Sequence, residues 1–274
     1  MQKHYKKDDL AIFLKNKHSY SYSEVAIVKD HLDNCRQCWD IWNRVRWDNA
    51  IEKQGVQELK EYLGEEYVEY FDSSWALAEE WKSKKRDTEE EVEAFYKETK
   101  GYVYNSTIFH ESGDRENLVY DLEEIVKEHQ VTSVLDYGSG VGNDSLVFLE
   151  KGITTFFADF NSPVTDFLKF RIAKRGFTNL SQYVDVQKDE RPDVDMIWTV
   201  DTLEHMTDPY QIFNYITGKT RVFTYFIDDD TEAGGRHPFH IKFDYNEFNA
   251  RLLEKGFHQI KSKKLSSWSK VWSR

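Results

Sequence analysis

The fold is decided by the stretch Val131-Thr-Ser-Val-Leu-Asp136-Tyr-Gly138-Ser-Gly140-Val-Gly142. Its first residues are mostly β-branched or aliphatic, as in a buried strand, and they lead directly into a loop with glycine at alternate positions. Glycine has no Cβ, so such a loop lets the backbone approach a bound ligand closely. Apolar residues and good helix formers follow from Asp144 to Lys151. Strand, glycine loop and helix together are the first half of a nucleotide-binding βαβ unit.

Strand-like and helix-like segments alternate through the rest of the chain. Helical patterns separate apolar runs that are short enough to be buried strands. The predicted strands are 131–136, 154–158, 182–185, 195–200, 221–227, 259–264 and 268–272. This alternation predicts an α/β fold, with a Rossmann-like, seven-stranded, mostly parallel sheet and helices on both faces. The last two strands are joined by a tight turn and add an antiparallel edge.

Residues 1–100 show no strand alternation and are predicted to be helical. Ser21-Tyr-Ser-Glu24 and Thr88-Glu-Glu-Glu91 are capping boxes, which mark the beginnings of two of these helices. Residues 101–110 are expected to be less regular and to precede a helix over 115–129. The sequence thus predicts three parts: a small helical, zinc-binding-like module over 1–50, a helical connector or cap over 51–125, and the nucleotide-binding domain over 126–274.

Both cysteines of the chain lie in the octet His31-Leu-Asp-Asn-Cys35-Arg-Gln-Cys38. Zinc takes three or four nitrogen and sulfur ligands in a tetrahedron. A helix would carry His31 and Cys35 on one face, with Cys38 in the turn after it. We take His4 as the fourth ligand and His18 as the alternative. The competing interpretation is two reduced thiols beside a helix, with an unrelated histidine.

The stretch from Ser21 to Trp47 resembles the zinc-binding anti-sigma domain, on the strength of the His-x3-Cys-x2-Cys cluster and the helix that follows Cys38. That family places a further ligand near the start of its first helix, a position that His4 matches. The resemblance implies a small helical module with a structural zinc ion. It does not imply binding to a sigma factor, because a fold can be reused for another function.

Charge and composition restrict the partners. The 274-residue chain has a net charge of −12, which disfavours a nucleic-acid substrate because phosphates would be repelled. It contains no run of 18 apolar residues, and the N-terminus lacks an apolar signal core, so no membrane association is expected. Two cysteines are too few for a secreted disulfide framework. We therefore expect a cytoplasmic protein.

The glycine spacing bears on which nucleotide is bound. Gly138, Gly140 and Gly142 form G-x-G-x-G, whereas the dinucleotide fingerprint is G-x-G-x-x-G, so an NAD-dependent oxidoreductase is disfavoured. Asp159 ends the second predicted strand, 19 residues after Gly140. A carboxylate at that position can accept hydrogen bonds from both ribose hydroxyls.

The order of the acidic and glycine motifs resembles that of class I S-adenosylmethionine-dependent methyltransferases. The motifs are, in order, Asp136 to Gly142, Asp159, Asp185 and the run Asp195 to His205. The resemblance spans roughly 102–274. It implies that Asp136 and the three glycines face the methionine half of S-adenosyl-L-methionine. It implies the following further roles: Asp159 at the ribose, Asp185 and Val186 at the adenine, and Asp201 near the sulfonium and the acceptor.

The segment just upstream of the glycine loop is well placed to fold over a bound cofactor. Tyr104, with Tyr102 and His110, is our candidate there for lining the pocket. The alternative is an ordinary connector with aromatic anchors.

Methyl transfer is an in-line displacement at an activated carbon, so the protein must align the nucleophile and exclude water. A general base is needed only if the acceptor loses a proton. His205, just after the fourth predicted strand, is the first candidate, and Asp201, His237 and His240 complete the catalytic set.

Two absences favour a small-molecule acceptor. The Asp/Asn-Pro-Pro-Tyr motif of exocyclic-nitrogen methylases is missing after the fourth predicted strand, where Asp201-Thr-Leu-Glu stands instead. The nucleotide-binding domain also has no cysteine nucleophile for cytosine C5. The alternative is a regulatory protein that senses S-adenosylmethionine and binds a protein partner through its zinc module.

Overall fold

The structure is a computed structural model that describes residues 4–115, 118–188, 190–226, 240–241, 244–261 and 269–274. These residues form two compact units. The N-terminal unit comprises residues 4–77 and 100–115, and the sheet unit comprises residues 78–99 and the described residues from 118 onwards. The predicted connector, 51–125, is therefore divided between the two units.

The sheet unit contains a seven-stranded sheet with the strand order β3-β2-β1-β4-β5-β7-β6. The strands are β1 (Ser133–Tyr137), β2 (Thr154–Asp159), β3 (Ser181–Asp185), β4 (Met196–Val200), β5 (Val222–Phe226), β6 (His258–Ile260) and β7 (Ser269–Ser273). β1 to β5 are parallel, and β7 runs antiparallel to both β5 and β6. The predicted α/β fold with a mostly parallel seven-stranded sheet is confirmed. The turn that was predicted to join the last two strands lies outside the described residues.

The strand order reverses between β1 and β4, which are neighbours although β2 and β3 intervene in the sequence. In open α/β sheets, ligands bind in the crevice outside the carboxyl ends of the strands at such a reversal. The dinucleotide-binding order is 3-2-1-4-5-6. Here the antiparallel β7 stands between β5 and β6 instead.

Helices cover both faces of the sheet. In the sheet unit the helices are α6 (Glu89–Glu98), α8 (Glu123–Glu128), α9 (Asn143–Glu150), α10 (Pro163–Lys174) and α11 (Tyr245–Glu254). Every residue of β1 and β4 is buried, because their side chains alternate between two apolar layers. Val134 and Trp198 point to one layer, with Phe148 of α9, whereas Leu135 and Ile197 point to the other.

The N-terminal unit is helical, as predicted. It contains α1 (Lys7–Lys15), α2 (Tyr22–Asn34), α3 (Arg36–Ala50), α4 (Gln54–Leu63), the first residues of α5 (Ser73–Lys82) and α7 (Gly101–Glu111). The predicted capping boxes at Ser21 and at Thr88 are both present. Among the described helices, none is both long and apolar enough to cross a membrane.

Two predicted segments differ from the structure. Residues 101–110, which we expected to be less regular, form α7, because Val103, Tyr104, Thr107 and Ile108 make a buried stripe at helical spacing. The helix predicted over 115–129 is a short 3-10 helix, Leu118–Leu122, followed by the six-residue α8.

Asp195 joins three strands at the amino end of the sheet. Its side chain is 2% exposed and accepts hydrogen bonds from the backbone of Thr132 at 2.9 Å and of Ser133 at 3.0 Å. The Arg221 guanidinium donates to it at 2.9 Å. Burial by itself would raise the pKa of Asp195, but these hydrogen bonds outweigh burial and hold the pKa well below its usual range.

We expect Asp195→Ala to lower the free energy of unfolding of the sheet unit by about 3 kcal/mol, since it leaves buried donors without their acceptor. Because the folded pKa is depressed, the stabilisation is complete above about pH 4, the unfolded value, and declines as pH falls towards the folded value. Urea denaturation at pH 7 and at pH 3 measures both effects. The exposed Asp166→Ala is the control, and an equal loss in that variant would contradict the assignment.

Candidate cofactor and metal sites

The glycine loop after β1 has a backbone that other residues rarely adopt. Gly138, Gly140 and Gly142 have φ angles of 76°, 54° and 78°. A Cβ at Gly138 would lie 2.2 Å from Thr202 Oγ1, and a Cβ at Gly142 would lie 2.0 Å from Leu168 Cδ1. Two of the three glycines are therefore required for close packing as well as for the turn.

Gly140 differs, because a Cβ there would meet nothing nearer than the Gly138 carbonyl oxygen at 4.0 Å. Among the described residues, nothing covers the loop at this point. The loop is bound to the end of β2: the N–H groups of Gly138 and Ser139 donate to the Ala158 carbonyl at 2.8 and 3.2 Å. The loop is thus held in place, with a point at which its backbone can be approached, as a cradle for a ligand requires.

Asp159 lies beside this open point. Its Oδ2 accepts from the Gly140 N–H at 2.8 Å and its Oδ1 from the Phe160 N–H at 2.7 Å. Burial raises the pKa of Asp159 to about 6, and these two backbone hydrogen bonds oppose that rise. Asp159 is thereby a carboxyl group with a raised pKa, next to the point of the loop that the described residues leave uncovered.

The two predicted adenine residues lie next to Asp159. Asp185 is paired with Asp159 in the register of β2 and β3, and the Val186 N–H donates to the Asp159 carbonyl at 3.3 Å. The Asp185 side chain accepts from the Gln187 N–H at 3.1 Å. The carboxyl ends of β2 and β3 thus bring these candidates together.

Asp136 is 3% exposed and lies within β1, where its carboxylate accepts from Ser145 Oγ of α9 at 2.5 Å. Asp201 follows β4 and has a φ of 49°, a left-handed conformation that is uncommon outside glycine. Such strain is concentrated at functional sites. The Asp201 N–H donates to the Phe226 carbonyl at 3.3 Å, so β5 holds the backbone that follows β4.

His205 ends the 3-10 turn Leu203–His205 that follows Asp201. Its Nδ1 is 3.1 Å from the Tyr96 hydroxyl, and its ring lies 4.9 Å from that of His240, centroid to centroid. The structure therefore brings two of the three predicted histidines together. The third, His237, lies outside the described residues.

Helix α6 was missed as part of this site. Tyr96 contacts His205, which follows β4, and Glu93 accepts from the Gln187 side chain after β3 at 3.3 Å. Lys97 Nζ is 5.0 Å from the centre of the Phe160 ring after β2. Helix α6 thus lies across the loops that follow three strands. The capping box located its beginning, but nothing in its sequence indicated a partner 109 residues away.

Tyr104, the candidate for lining the cofactor pocket, belongs to the N-terminal unit. Its hydroxyl accepts from the Val68 N–H at 2.7 Å, and its ring packs against Phe71 with the centroids 5.0 Å apart. The other two candidates lie on the same helix, α7, where Tyr102 is partly buried and His110 Nδ1 is 3.2 Å from Arg115. A role for them at the cofactor stays a prediction.

The four predicted zinc ligands form a cluster in the N-terminal unit. His4 Nδ1 is 3.3 Å from Cys35 Sγ and 3.6 Å from Cys38 Sγ, and His31 Nε2 is 3.2 Å from Cys38 Sγ. The side chain of His18, the alternative ligand, lies outside the described residues. The helix path differs from the prediction, since Cys35 stands in extended conformation between α2 and α3 and Cys38 lies in the first turn of α3.

The donor set fits zinc. With bonds of about 2.3 Å to sulfur and 2.0–2.1 Å to nitrogen, a tetrahedral ion holds its sulfur and nitrogen ligands about 3.6 Å apart. The distances in the cluster are 3.2 to 3.6 Å. The Tyr5 N–H donates to Cys38 Sγ at 3.3 Å, which is an outer hydrogen bond of the kind that orients metal ligands.

No protein-family model and no curated protein matches the sequence. Among solved structures, an S-adenosylmethionine-dependent methyltransferase from Clostridium acetobutylicum aligns with a TM-score of 0.49 and 11% identity over 63% of this chain and 98% of that chain. A candidate O-methyltransferase from Nostoc punctiforme aligns with a TM-score of 0.46 and 13% identity over 64% of this chain. The alignment covers 61% of the Nostoc chain, which is less than two thirds of its length.

The 1,6-didemethyltoxoflavin-N1-methyltransferase of Burkholderia thailandensis, solved with bound 1,6-didemethyltoxoflavin and S-adenosylhomocysteine, aligns with a TM-score of 0.42 and 17% identity. That alignment covers 63% of this chain and 86% of that chain. All three lie below 25% identity and below a TM-score of 0.5, so no family, reaction or acceptor is assigned from them.

The steric requirement at Gly142 can be separated from the requirement for positive φ. Gly142→Ala should lower the free energy of unfolding by roughly 2–4 kcal/mol, from left-handed strain plus the clash with Leu168. Gly152 has a similar φ, 74°, but open space around its Cβ position, so Gly152→Ala should cost only about 1–2 kcal/mol. Chemical denaturation of both variants, followed by tryptophan fluorescence, tests this. Equal losses would contradict the packing argument.

Proposed function

We propose that the protein is an S-adenosylmethionine-dependent methyltransferase with a small-molecule acceptor. The observation that carries the proposal is the set of acidic residues along one edge of the sheet. Asp159 ends β2 beside the open Gly140, Asp185 ends β3, and Asp201 follows β4 in a strained conformation. The described residues leave Gly140 uncovered beside the Asp159 carboxylate, and carboxylates at the strand ends suit a ligand with a ribose and a purine.

Each residue has a separate task in the proposed complex. The glycine loop would hold the methionine half of S-adenosylmethionine, and Asp136 would support that loop from β1. Asp159 would accept from the ribose hydroxyls, since a carboxylate oxygen that accepts one hydrogen bond retains a second lone pair. Asp185 and Val186 would flank the adenine.

The chemistry requires alignment and a dry site more than it requires acid–base groups. The sulfonium cofactor supplies an activated methyl group when it is bound. The residues of the chain orient the acceptor and exclude water: Tyr96 of α6 contacts His205, and His240 packs beside it. We assign Asp201, His205 and His240 to the acceptor side, together with the predicted His237.

A small acceptor is supported by charge and by residue type. The net charge of −12 opposes binding of a long polyanion. Both cysteines lie in the N-terminal unit, so the sheet unit has no thiol nucleophile for base methylation.

We also propose a structural zinc ion at His4, His31, Cys35 and Cys38. Four ligands fill a tetrahedron and leave no open position for chemistry, which is typical of structural sites. Burial raises the pKa of the Cys38 thiol, so binding of zinc as a thiolate complex would release a proton. The ion would join α2, α3 and the segment that precedes α1.

The cofactor site predicts a pH-dependent affinity for S-adenosylhomocysteine. The ionised Asp159 accepts stronger, charge-assisted hydrogen bonds from the ribose hydroxyls than the protonated carboxyl group does, so the affinity should fall as pH drops below the pKa of about 6. A single proton implies a slope that approaches tenfold per pH unit. Calorimetry between pH 5 and pH 8 measures it.

Asp159→Asn should bind S-adenosylhomocysteine more weakly and without this pH dependence, whereas Asp185→Asn should keep the dependence. Unchanged affinity in Asp159→Asn would remove the proposed cofactor site. Turnover is tested separately, by transfer of a radiolabelled methyl group to a panel of small molecules. Tight cofactor binding with no transfer across the panel would favour the alternative, a protein that senses the cofactor.

Metal analysis tests the zinc site directly. The purified protein should contain about one zinc ion bound in the N-terminal unit, and Cys35→Ser/Cys38→Ser should lose it because serine oxygens do not replace thiolates. The control is His129→Ala, which removes a histidine of the sheet unit. Equal zinc content in the cysteine variant would refute the site.

A further inference from the structure

A second group of metal-ligand side chains lies in the sheet unit. Glu204, His205 and His240 each offer one ligand atom, and these atoms all lie within 4.8 Å of one another. Within a metal coordination sphere the corresponding separations are about 3–3.5 Å, so side-chain movements on the order of 1 Å would close the set. The sequence pointed to the two histidines as catalytic candidates, but it did not single out Glu204.

A backbone hydrogen bond and the burial of neighbouring side chains hold these three residues together. Glu204 and His205 lie in one 3-10 turn, and Leu203, at the start of that turn, is fully buried. The Ile241 N–H donates to the Glu204 carbonyl at 2.6 Å, which fixes His240 next to that turn. The Glu204 side chain is itself 1% exposed. The group is therefore part of the packed structure and is not a chance meeting of surface side chains.

A neighbouring side chain holds the His205 ring in an orientation that suits a metal ligand. The Tyr96 hydroxyl is 3.1 Å from Nδ1 of His205, so a cation bound by this histidine would be bound through Nε2. Outer hydrogen bonds of this kind fix the tautomer and the orientation of metal-binding imidazoles.

The group also lies next to the cofactor loop. Thr202, two residues before Glu204, packs against Gly138 so closely that a Cβ there would clash. Asp201 precedes it at the end of β4, on the acceptor side of the proposed reaction. Glu204 is thus only two residues along the chain from a residue that contacts the glycine loop.

We propose that Glu204, His205 and His240 bind a divalent transition-metal cation whose remaining positions take an oxygen of the methyl acceptor. The second half of this proposal rests on the proposed methyltransferase function. Two imidazoles disfavour Mg²⁺ and Ca²⁺, which prefer oxygen ligands, and the absence of sulfur disfavours soft cations. Mn²⁺, Co²⁺ and Zn²⁺ suit this mixture of nitrogen and oxygen. Three protein ligands leave open positions, as in catalytic sites.

The bound cation defines the acceptor as a hydroxyl compound. Coordination lowers the pKa of the hydroxyl, whose proton leaves to solvent. The oxygen lone pair then forms the O–C bond while the S–C bond breaks and its electron pair returns to sulfur. The sulfonium becomes a neutral thioether, so charge and atoms balance without an oxidant or a reductant.

Mn²⁺ binding tests the metal site without reference to activity. The full-length protein is first loaded with one equivalent of Zn²⁺, which fills the thiolate cluster, and is then titrated with Mn²⁺ by electron paramagnetic resonance. We expect one Mn²⁺ per chain, with nitrogen couplings from imidazole in the spin-echo spectrum. Absence of a bound Mn²⁺, or a bound Mn²⁺ without nitrogen couplings, would overturn the site.

Three variants locate the ion. Glu204→Gln, which keeps the side-chain shape, should weaken Mn²⁺ binding at least tenfold, and His205→Ala/His240→Ala should abolish it together with the nitrogen couplings. His258→Ala, an exposed histidine of β6, should leave binding unchanged. Circular dichroism shows whether each variant folds. If the double histidine variant does not fold, the Mn²⁺ affinity of Glu204→Gln tests the proposal. Full Mn²⁺ affinity in a folded Glu204→Gln or double variant would contradict the proposal.

Binding of S-adenosylhomocysteine separates this proposal from the one on which it rests. Wild type and Glu204→Gln should bind S-adenosylhomocysteine equally. If the wild type binds Mn²⁺ but not S-adenosylhomocysteine, the metal site stands and the methyltransferase function fails. If methyl transfer occurs and is unaffected when Mn²⁺ and other divalent cations are removed by chelation, the acceptor-binding role of the cation fails.

Discussion

The close approach of the glycine loop to its neighbours is the constraint on which the candidate site depends. Gly138 lies against Thr202 and Gly142 against Leu168, at distances that leave no room for a Cβ. Backbone therefore packs directly on a side chain that follows β4 and on one from α10, and the segments after β1 and β4 are held against each other. This packing fixes the position of Gly140 beside Asp159, whose carboxylate accepts from the Gly140 N–H.

Two acids at opposite ends of the sheet show how environment separates a structural role from a proposed functional one. Asp195 is buried and receives backbone and side-chain hydrogen bonds from residues at the beginnings of β1 and β5, and its pKa lies well below the usual range. Asp159 has two backbone donors that do not offset its burial, and its pKa rises to about 6. The hydrogen bonds of Asp195 stabilise the fold, whereas Asp159 can still be stabilised by hydroxyl donors of a ligand.

The two groups of candidate metal-ligand side chains differ in the number and the type of their ligands. The cluster around Cys35 and Cys38 offers four candidate ligands, two of them cysteine sulfurs, and an ion bound there would join helices. The group around Glu204 offers three ligands without sulfur, at the edge of the sheet where chemistry is proposed. Ligand number and ligand type, rather than the fold that carries them, indicate which ion would be structural and which would contact an acceptor.

Local patterns of sequence determined the seven-stranded sheet, the glycine loop and the acids at the strand ends. The alternation of strand-like and helix-like segments and the spacing of the glycines can each be recognised within a short stretch of sequence. They also singled out four candidate metal ligands near the N-terminus, which the structure brings together. Only the tertiary structure placed Tyr96 on His205 and Glu204 beside His240, since those pairs depend on the path of the chain over tens of residues. The structure also shows the break between α2 and α3 at Cys35, which places Cys35 outside the helix predicted to carry it and Cys38 in the first turn of α3.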